Sequence, residues 1–353
     1  MKTNITADAG GANAGGDGAA TSTSASATDA NANVNAAATT SNSANAVNAA
    51  ANANVNAAAN ADATDGGVVG GAGAGAGSGG GGAGDTTNSP CLIEGVVRAL
   101  ECLRARCPLT HCMTNGVVKE FTANVLLAVG ASPAMIEHAE EAREFATMAD
   151  ALLVNLGTLD DAQMEAMRGA IPAYRRAGKP WVLDPVAVGA LGVRTRFARE
   201  IAGCQPALIR GNASEIIGLC GRASRGRGTD SGDGAEEALD AARELAARTG
   251  AVVLATGAVD YATDGARVRS CANGHVWMTR VTGAGCAQGA LAAAFAAVCG
   301  ERLVAALAAA VVMAVAGESA AARTAGPGGF RVALVDELSR IDGESLRRRA
   351  RVA

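Results

Sequence analysis

The run Val281-Thr282-Gly283-Ala284-Gly285-Cys286 leads directly into an alanine-rich stretch of helical character. Glycines in such a turn let the backbone approach a ligand closely, because no Cβ stands in the way. A helix starting there presents unpaired N–H groups and the positive end of its dipole, and both favour an anion. A phosphate in transfer is such an anion, and the same groups stabilise the charge that develops on it. A tight turn that merely begins a helix has the same spelling, so spacing alone weighs the two readings equally. Cys286 falls at or near the helix start, where a thiol pKa tends to drop. It could act as a base toward a hydroxyl, although most cysteines are structural.

Other polar residues stand at the ends of apolar runs. Asp184 follows Trp181-Val182-Leu183, and Glu215 closes Arg210-Gly211-Asn212-Ala213-Ser214-Glu215. Two acids converging at strand ends could hold Mg²⁺, directly or through water. Taken singly, a helix cap for Asp184 and a solvated first-turn acid for Glu215 are the simpler readings. Arg210 could pair with ATP phosphates, and Asn115 and Thr256 occupy similar strand-end positions. Met135, in Ser132-Pro133-Ala134-Met135, could line a pocket, since a thioether packs well on an aromatic ring; a core methionine reads equally well. A lone His111 inside Pro108-Leu109-Thr110-His111 is more often a satisfied core residue than a catalyst. No GxxxxGK[ST] occurs, which excludes a P-loop enzyme. A GxGxxG match within residues 71–80 lies in low-complexity sequence with no strand before it. Asn212-Ala213-Ser214 spells a glycosylation sequon, by chance in a cytosolic reading.

These residues need elements to position them, and the pattern supplies an alternation. Helical spacing over residues 91–106, 117–128, 137–148, 160–177, 235–248, 286–298 and 303–316 is interleaved with strand-like runs at 108–114, 151–156, 181–183, 207–209 and 252–255. Residues 221–233 read as a loop, and Asn212 could cap the helix after it. Asp264-Gly265 and Asn273-Gly274 are hairpin signals. Such alternation predicts an α/β fold, a mainly parallel central sheet covered by helices on both faces. Ligands of such sheets bind at the carboxyl ends of the strands, where Asn115, Asp184, Arg210 and Thr256 fall.

Composition divides the 353-residue chain. Residues 1–89 are almost entirely Ala, Asn, Gly, Ser and Thr, with no aromatic residue. Such sequence cannot bury enough apolar surface to offset the entropy of ordering, so a disordered extension is expected, with residues 90–353 as one domain. Lys2 and six aspartates lie in the extension, which leaves 29 basic and 28 acidic residues. A near-neutral domain without a basic, aromatic-interleaved stripe makes nucleic acid an unsuitable partner, and Arg347-Arg348-Arg349 reads as a solvated helix end. The nine cysteines show no metal-ligand spacing; several lie in apolar runs, which suits a reducing cytosol. No apolar segment follows Lys2, so a signal peptide is not expected. Residues 303–317 fall short of the ~20 needed to span a bilayer and read as a buried helix, so no membrane partner is expected.

Taken together, the segments resemble hydroxyethylthiazole kinase, of the ribokinase-like superfamily. The resemblance rests on Pro108-Leu109-Thr110-His111-Cys112-Met113-Thr114-Asn115, Phe121-Thr122-Ala123-Asn124, Gly130-Ala131-Ser132-Pro133-Ala134-Met135 and Asn155-Leu156-Gly157-Thr158-Leu159. It continues through Leu183-Asp184-Pro185-Val186-Ala187-Val188-Gly189-Ala190, Ile209 to Glu215, Thr256-Gly257, Asp260-Tyr261 and the Cys286 turn, in order from about Cys91 to Asp336. The extension has no counterpart in the family pattern. The resemblance implies a ribokinase-like three-layer α/β/α fold and ATP-dependent phosphorylation of 4-methyl-5-(2-hydroxyethyl)thiazole, feeding thiamine diphosphate synthesis by salvage. It also implies that Met135 and Gly283 contact the thiazole, and that Arg210 and Thr256 contact ATP. Asn115, Asp184 and Glu215 are similar to the family's polar set for Mg²⁺ and phosphate. It implies a homotrimer with thiazole sites at subunit interfaces, and a cytoplasmic location. Cys286 stands where most ribokinase-like enzymes have a catalytic Asp, and a cysteine there is usual for thiazole kinases. The family turn usually reads Thr-Gly-Thr-Gly-Cys; Ala284 here removes a hydroxyl but leaves the backbone donors. Rival readings are a hydroxymethylpyrimidine or pyridoxal kinase, an ADP-dependent hydrate dehydratase, or a non-catalytic thiazole- or nucleotide-binding protein. An interaction role for the Asn/Ala extension stays open beside them.

Overall fold

The structure, a computed structural model, describes residues 89–222 and 232–353. The expected extension, save for Ser89, and most of the expected loop at 221–233 lie outside the described residues.

The alternation folds into an eight-stranded sheet. Its strands are β1 (Leu109–Met113), β2 (Ser132–Ala134), β3 (Ala151–Asn155), β4 (Trp181–Asp184), β5 (Leu208–Asn212), β6 (Val252–Thr256), β7 (Asp260–Thr263) and β8 (Val268–Cys271). They lie in the order β2-β1-β3-β4-β5-β6-β7-β8. Pairings from β2 through β6 are parallel, and the last two are antiparallel. The continuous apolar runs of β3 and β4 follow from burial on both faces.

One face, carrying Leu153, Val182, Leu208 and Leu254, packs against α1 (Pro90–Arg106), α2 (Lys119–Val129), α8 (Ala284–Val298), α9 (Arg302–Ala321), α10 (Pro327–Arg340) and α11 (Gly343–Arg349). The other, carrying Leu152, Val154, Leu183, Ile209 and Val253, packs against α3 (Ala139–Glu144), α4 (Asp161–Arg176), α5 (Gly192–Ala202), α6 (Ala213–Cys220) and α7 (Gly232–Thr249). The period-two side-chain alternation of each strand thus feeds two separate cores, and the three-layer α/β/α arrangement is present.

Several expectations change. Helix α7 begins at Gly232, not Ala235. Helix α9 has 20 residues, long and apolar enough to cross a membrane by length and composition, so the length argument does not hold. Burial decides its place instead: Leu303, Leu307, Val311 and Val315 lie within the first core. Strand β2 and helices α5 and α10 carry no strong pattern, since α5 opens on Gly192 and α10 on Pro327-Gly328-Gly329; Pro at a first helical position is nonetheless preorganised for it.

Asp264-Gly265 makes the expected hairpin, with Gly265 at φ +95° and Asp264 Oδ1 accepting from the amides of Ala266 (3.0 Å) and Arg267 (2.7 Å). Asn273-Gly274 does not. Buried Asn273 instead donates to Glu318 (3.2 Å) and to the Arg349 carbonyl (2.9 Å), and accepts from the Arg351 amide (2.6 Å). It clamps the chain end against β8, where the Ser270 amide donates to the Ala353 carbonyl (2.8 Å) and the Ala272 amide to that of Arg351 (2.9 Å). The exposed edge of the sheet is thereby covered. The arginines of α11 are paired rather than merely solvated: Arg347 with Glu94, Arg348 with Glu344 and Arg349 with Glu318.

Candidate active site

Parallel strands end on one edge of the sheet, and the polar residues of β1, β3 and β4 meet there. Asn155 and Asp184, the last residues of β3 and β4, are register partners. Asn155 Nδ2 donates to Asp184 Oδ2 at 2.7 Å, while its Oδ1 accepts from Asn115 Nδ2 at 3.0 Å and from the Gly157 amide at 3.0 Å. Asn115 Nδ2 also reaches Cys286 Sγ at 3.4 Å. A Cβ on Gly157 would stand 2.3 Å from that of Asn115, so glycine there is what lets the asparagine lie across the strand end.

Arg210, on β5, is held from three sides. Its Nε donates to Gln288 Oε1 at 3.0 Å and its Nη2 to Thr256 Oγ1 at 3.2 Å, while Nη1 stands 4.0 Å from Asp184 Oδ1. Behind Gln288, its Nε2 donates to Asp260 Oδ2 at 3.2 Å, and Asp260 Oδ1 accepts from the Gly257 amide at 3.0 Å. Helix α8 admits these groups through two glycines. A Cβ on Gly285 would fall 2.9 Å from both terminal nitrogens of Arg210, and one on Gly289 3.2 Å from Asp184 Oδ2.

The glycine turn opens α8 at Ala284, two residues before the expected start. Gly283 is in the left-handed region at φ +98°, and its would-be Cβ would meet Phe121 and Val118 of the α2 region at 3.0 Å. No side chain caps the helix, and its first backbone bond runs from the Ala287 amide to the Gly283 carbonyl at 2.8 Å. The amides of Ala284, Gly285 and Cys286 precede that bond, beside the guanidinium of Arg210. An anion lodged here would meet backbone donors, a helix dipole and a fixed cation together.

Helix-start position does not depress the Cys286 thiol. Burial and the adjacent Asp184 push it up to about 12, although Asn155, Arg210 and Asn115 pull the other way. This direction is opposite to the one expected from helix position alone.

Asp184 is fully buried and caps no helix. Burial raises its carboxyl to about 7, Arg210 opposes this, Glu215 adds to it, and the Asn155 bond lowers it. One of its oxygens, Oδ1, is buried without a hydrogen-bond partner. An orphaned buried carboxylate oxygen beside an anion site is where a hard cation fits. Glu215 is not a solvated helix acid. Its Oε2 accepts from the Asn212 amide (2.9 Å), closing a capping box in which Asn212 Oδ1 accepts from the Glu215 amide (2.9 Å). Its Oε1 accepts from the amide of Ala187 (3.0 Å), a residue at φ +60°. Burial raises Glu215, while Arg210, these two amides and Arg194 lower it. Both oxygens serve the backbone, so its remaining lone pairs suit a water-mediated role. Among the described residues no three His, Cys, Asp or Glu side chains gather as a metal cluster.

His111 is a satisfied core residue. Its Nδ1 bonds Tyr174 Oη at 3.0 Å and its Nε2 the Ile136 carbonyl at 2.7 Å, which ties down the segment beside Met135. Met135 follows β2 at the same sheet edge and packs against the first core, outside the Arg210–Asp184 network. Sequence reasoning gave no role to Asn155, Gln288 or Asp260. The signal for the first two was one amide side chain inside an otherwise apolar run.

A sequence model described as the hydroxyethylthiazole kinase family matches residues 100–344. The hydroxyethylthiazole kinase of Klebsiella pneumoniae (strain 342) is 58% identical over 236 residues, 67% of this chain and 91% of that protein. That of Serratia proteamaculans (strain 568) is 53% identical over 252 residues, 70% and 96% of the two chains. Among solved structures, the hydroxyethylthiazole kinase protein of Pyrococcus horikoshii OT3 superposes with a TM-score of 0.69 at 41% identity, covering 74% of this chain and 98% of its own. A ribokinase-like superfamily protein of Enterococcus faecalis V583, at 11% identity and a TM-score of 0.51 over 69% of this chain and 95% of its own, shares the fold.

Proposed function

The chain belongs to the hydroxyethylthiazole kinase family, and from that premise and the geometry above we infer that it transfers the γ-phosphate of ATP to the hydroxyl of 4-methyl-5-(2-hydroxyethyl)thiazole, a step of thiamine salvage. The observation that carries the reading is the meeting of Arg210, the unpartnered Asp184 Oδ1 and the uncapped start of α8 at one sheet edge.

The γ-phosphate lies over the amides of residues 284–286, with Arg210 and Thr256 toward ATP and Met135 and Gly283 toward the thiazole. Phosphoryl transfer asks for positioning and charge stabilisation more than for covalent help. The alcohol oxygen bonds to the γ-phosphorus as the bond to the ADP oxygen breaks. In a loose transition state the hydroxyl proton leaves late, passing to an oxygen of the transferred phosphoryl group, so a thiol at Cys286, held by Asn115, suffices to orient the hydroxyl. Asp184 through Oδ1, and Glu215 through a bridging water, would hold Mg²⁺, which would supply neutralisation of phosphate charge. Asn155 keeps Asp184 Oδ2 occupied and so aims Oδ1 at that position.

The kinase domain of this reading is residues 90–353, and its assembly a homotrimer in the cytoplasm. Exposed Val117, Leu127 and Val332, with a crevice between α2 and α10 that mixes Phe121 and Val335 with charged Glu120, Arg331 and Asp336, support a subunit contact of mixed character beside Gly283.

The test is phosphate transfer from ATP to a panel of hydroxyethylthiazole, hydroxymethylpyrimidine and pyridoxal, with light scattering for assembly. Transfer to the thiazole alone is expected. Transfer to either other alcohol and none to the thiazole would defeat the reading.

A further inference from the structure

Arg210 and Asp184 stand close without pairing, and one of the groups that grip the arginine, Gln288, has no part in the phosphate site. Arg210 Nη1 and Asp184 Oδ1 stand 4.0 Å apart, with Asp184 fully buried and the arginine side chain 13% exposed. Opposite charges enclosed this closely attract strongly, and a guanidinium free to swing would close into a bidentate pair. That closure would consume both Oδ1, the oxygen that suits a cation, and the Nη donors that suit a phosphate.

Gln288 stands where closure would be resisted. It is 4% exposed and lies on α8 one helical turn after Gly285, so the same helix face carries the bare backbone beneath the guanidinium and the amide that grips its Nε. A glutamine amide can face either way, and only its oxygen can accept from Nε–H. Asp260 sets the direction. Burial raises the Asp260 carboxyl, while Gly257, Arg210 and Gln288 favour its charged form; its Oδ1 accepts from the Gly257 amide and its Oδ2 from Gln288 Nε2 at 3.2 Å, so neither oxygen is turned to donate. The Gln288 oxygen is therefore turned to Arg210.

We propose that Gln288, oriented by Asp260, is a positioning residue that holds Arg210 off Asp184 and so keeps the guanidinium for ATP phosphate and Asp184 Oδ1 for the cation. The inference rests on the reading of Arg210 as an ATP ligand.

Steady-state kinetics on the full chain test it. Gln288→Leu is expected to raise KM for ATP about tenfold, as one hydrogen bond to a charged group is worth, and to raise the Mg²⁺ concentration needed for half-maximal rate. KM for the thiazole alcohol stays unchanged. Asp260→Asn, which offers the glutamine a donor in place of an acceptor, shifts KM for ATP the same way. Combining Asp260→Asn with Gln288→Glu restores a consistent donor direction at unchanged net charge, and KM for ATP returns to within about threefold of the original, roughly half of the lost binding free energy or more. The idea is overturned if Gln288→Leu leaves KM for ATP unchanged, or if the double variant is no better than the worse single one. Should Gln288→Leu fail to fold, the double-variant rescue decides alone. Arg210→Ala separates the two layers. If it leaves KM for ATP unchanged, the reading of Arg210 falls; if it raises KM while Gln288→Leu does not, only the role of Gln288 falls.

Discussion

Gly285→Ala separates phosphate binding from folding, because the two respond with opposite sign. The added methyl would stand 2.9 Å from Nη1 and Nη2 of Arg210, whereas non-bonded heavy atoms of this kind settle at about 3.5 Å or more. The guanidinium must retreat by roughly half an ångström, away from the helix start and against the bonds from Gln288 and Thr256. A charge-assisted hydrogen bond contributes about 1.5–3 kcal/mol, so weakening one raises KM for ATP roughly ten- to a hundredfold. The backbone does not object, since Gly285 is helical and alanine is favoured there over glycine by about 0.5–1 kcal/mol. Paired measurements of KM for ATP and thermal midpoint on the same preparation check this. The expected result is weaker ATP binding with an unchanged or higher midpoint. A KM for ATP within about twofold of the original, less than 0.5 kcal/mol, would refute the placement of phosphate against Arg210.

Four further outcomes follow from the structure. Asp184→Asn keeps an acceptor for Asn155 but withdraws the charged Oδ1; kcat should fall on the order of a hundredfold, with Mg²⁺ dependence weakened, and a variant with unaltered Mg²⁺ response would exclude Asp184 as a ligand. With Cys286 held near 12, iodoacetamide at pH 8 should label exposed Cys91 and Cys107 and spare Cys286; Cys286→Ser should slow turnover without abolishing it, and an inactive but folded, substrate-binding serine variant would argue for an obligatory thiolate. Burial raises Glu318, but the Gly274 amide, Arg351 and Asn273 lower it by more, so its folded pKa lies below the usual 4.5. Its contribution is present above 4.5 and lost as pH falls through the lower folded value. Amide protection at Ser270 and Ala272, corrected for the intrinsic pH dependence of exchange, should fall on acidification below the usual 4.5 and stay constant near neutrality.

Much of the site edge was legible because parallel α/β sheets put function at strand ends. Asn115, Asp184, Arg210 and Thr256 could be placed by finding where apolar runs stop. Asn273 misled because Asn-Gly is a hairpin signal only when two strands flank it, and here the following segment is a 3-10 turn (Val276–Arg280). From sequence the start of α8 reads two residues late, because Ala284 and Gly285 spell a turn, whereas Gly283 alone takes the left-handed conformation there.

By itself the sequence determined the periodicities, and with them the two-faced sheet, the helix layers and the glycine turn, because each depends on neighbours a few residues away. Tertiary structure decided what each polar group is committed to. Cys286 meets Asn115 across 171 residues, and Arg210 meets Gln288 across 78. Glu215 reads from sequence as a solvated first-turn acid, yet Ala187 and Asn212 engage both of its oxygens. The Cys286 thiol follows its burial and Asp184 rather than its helix position. Desolvation and hydrogen-bond commitment are properties of an enclosure, and the enclosing residues come together only when the chain has folded.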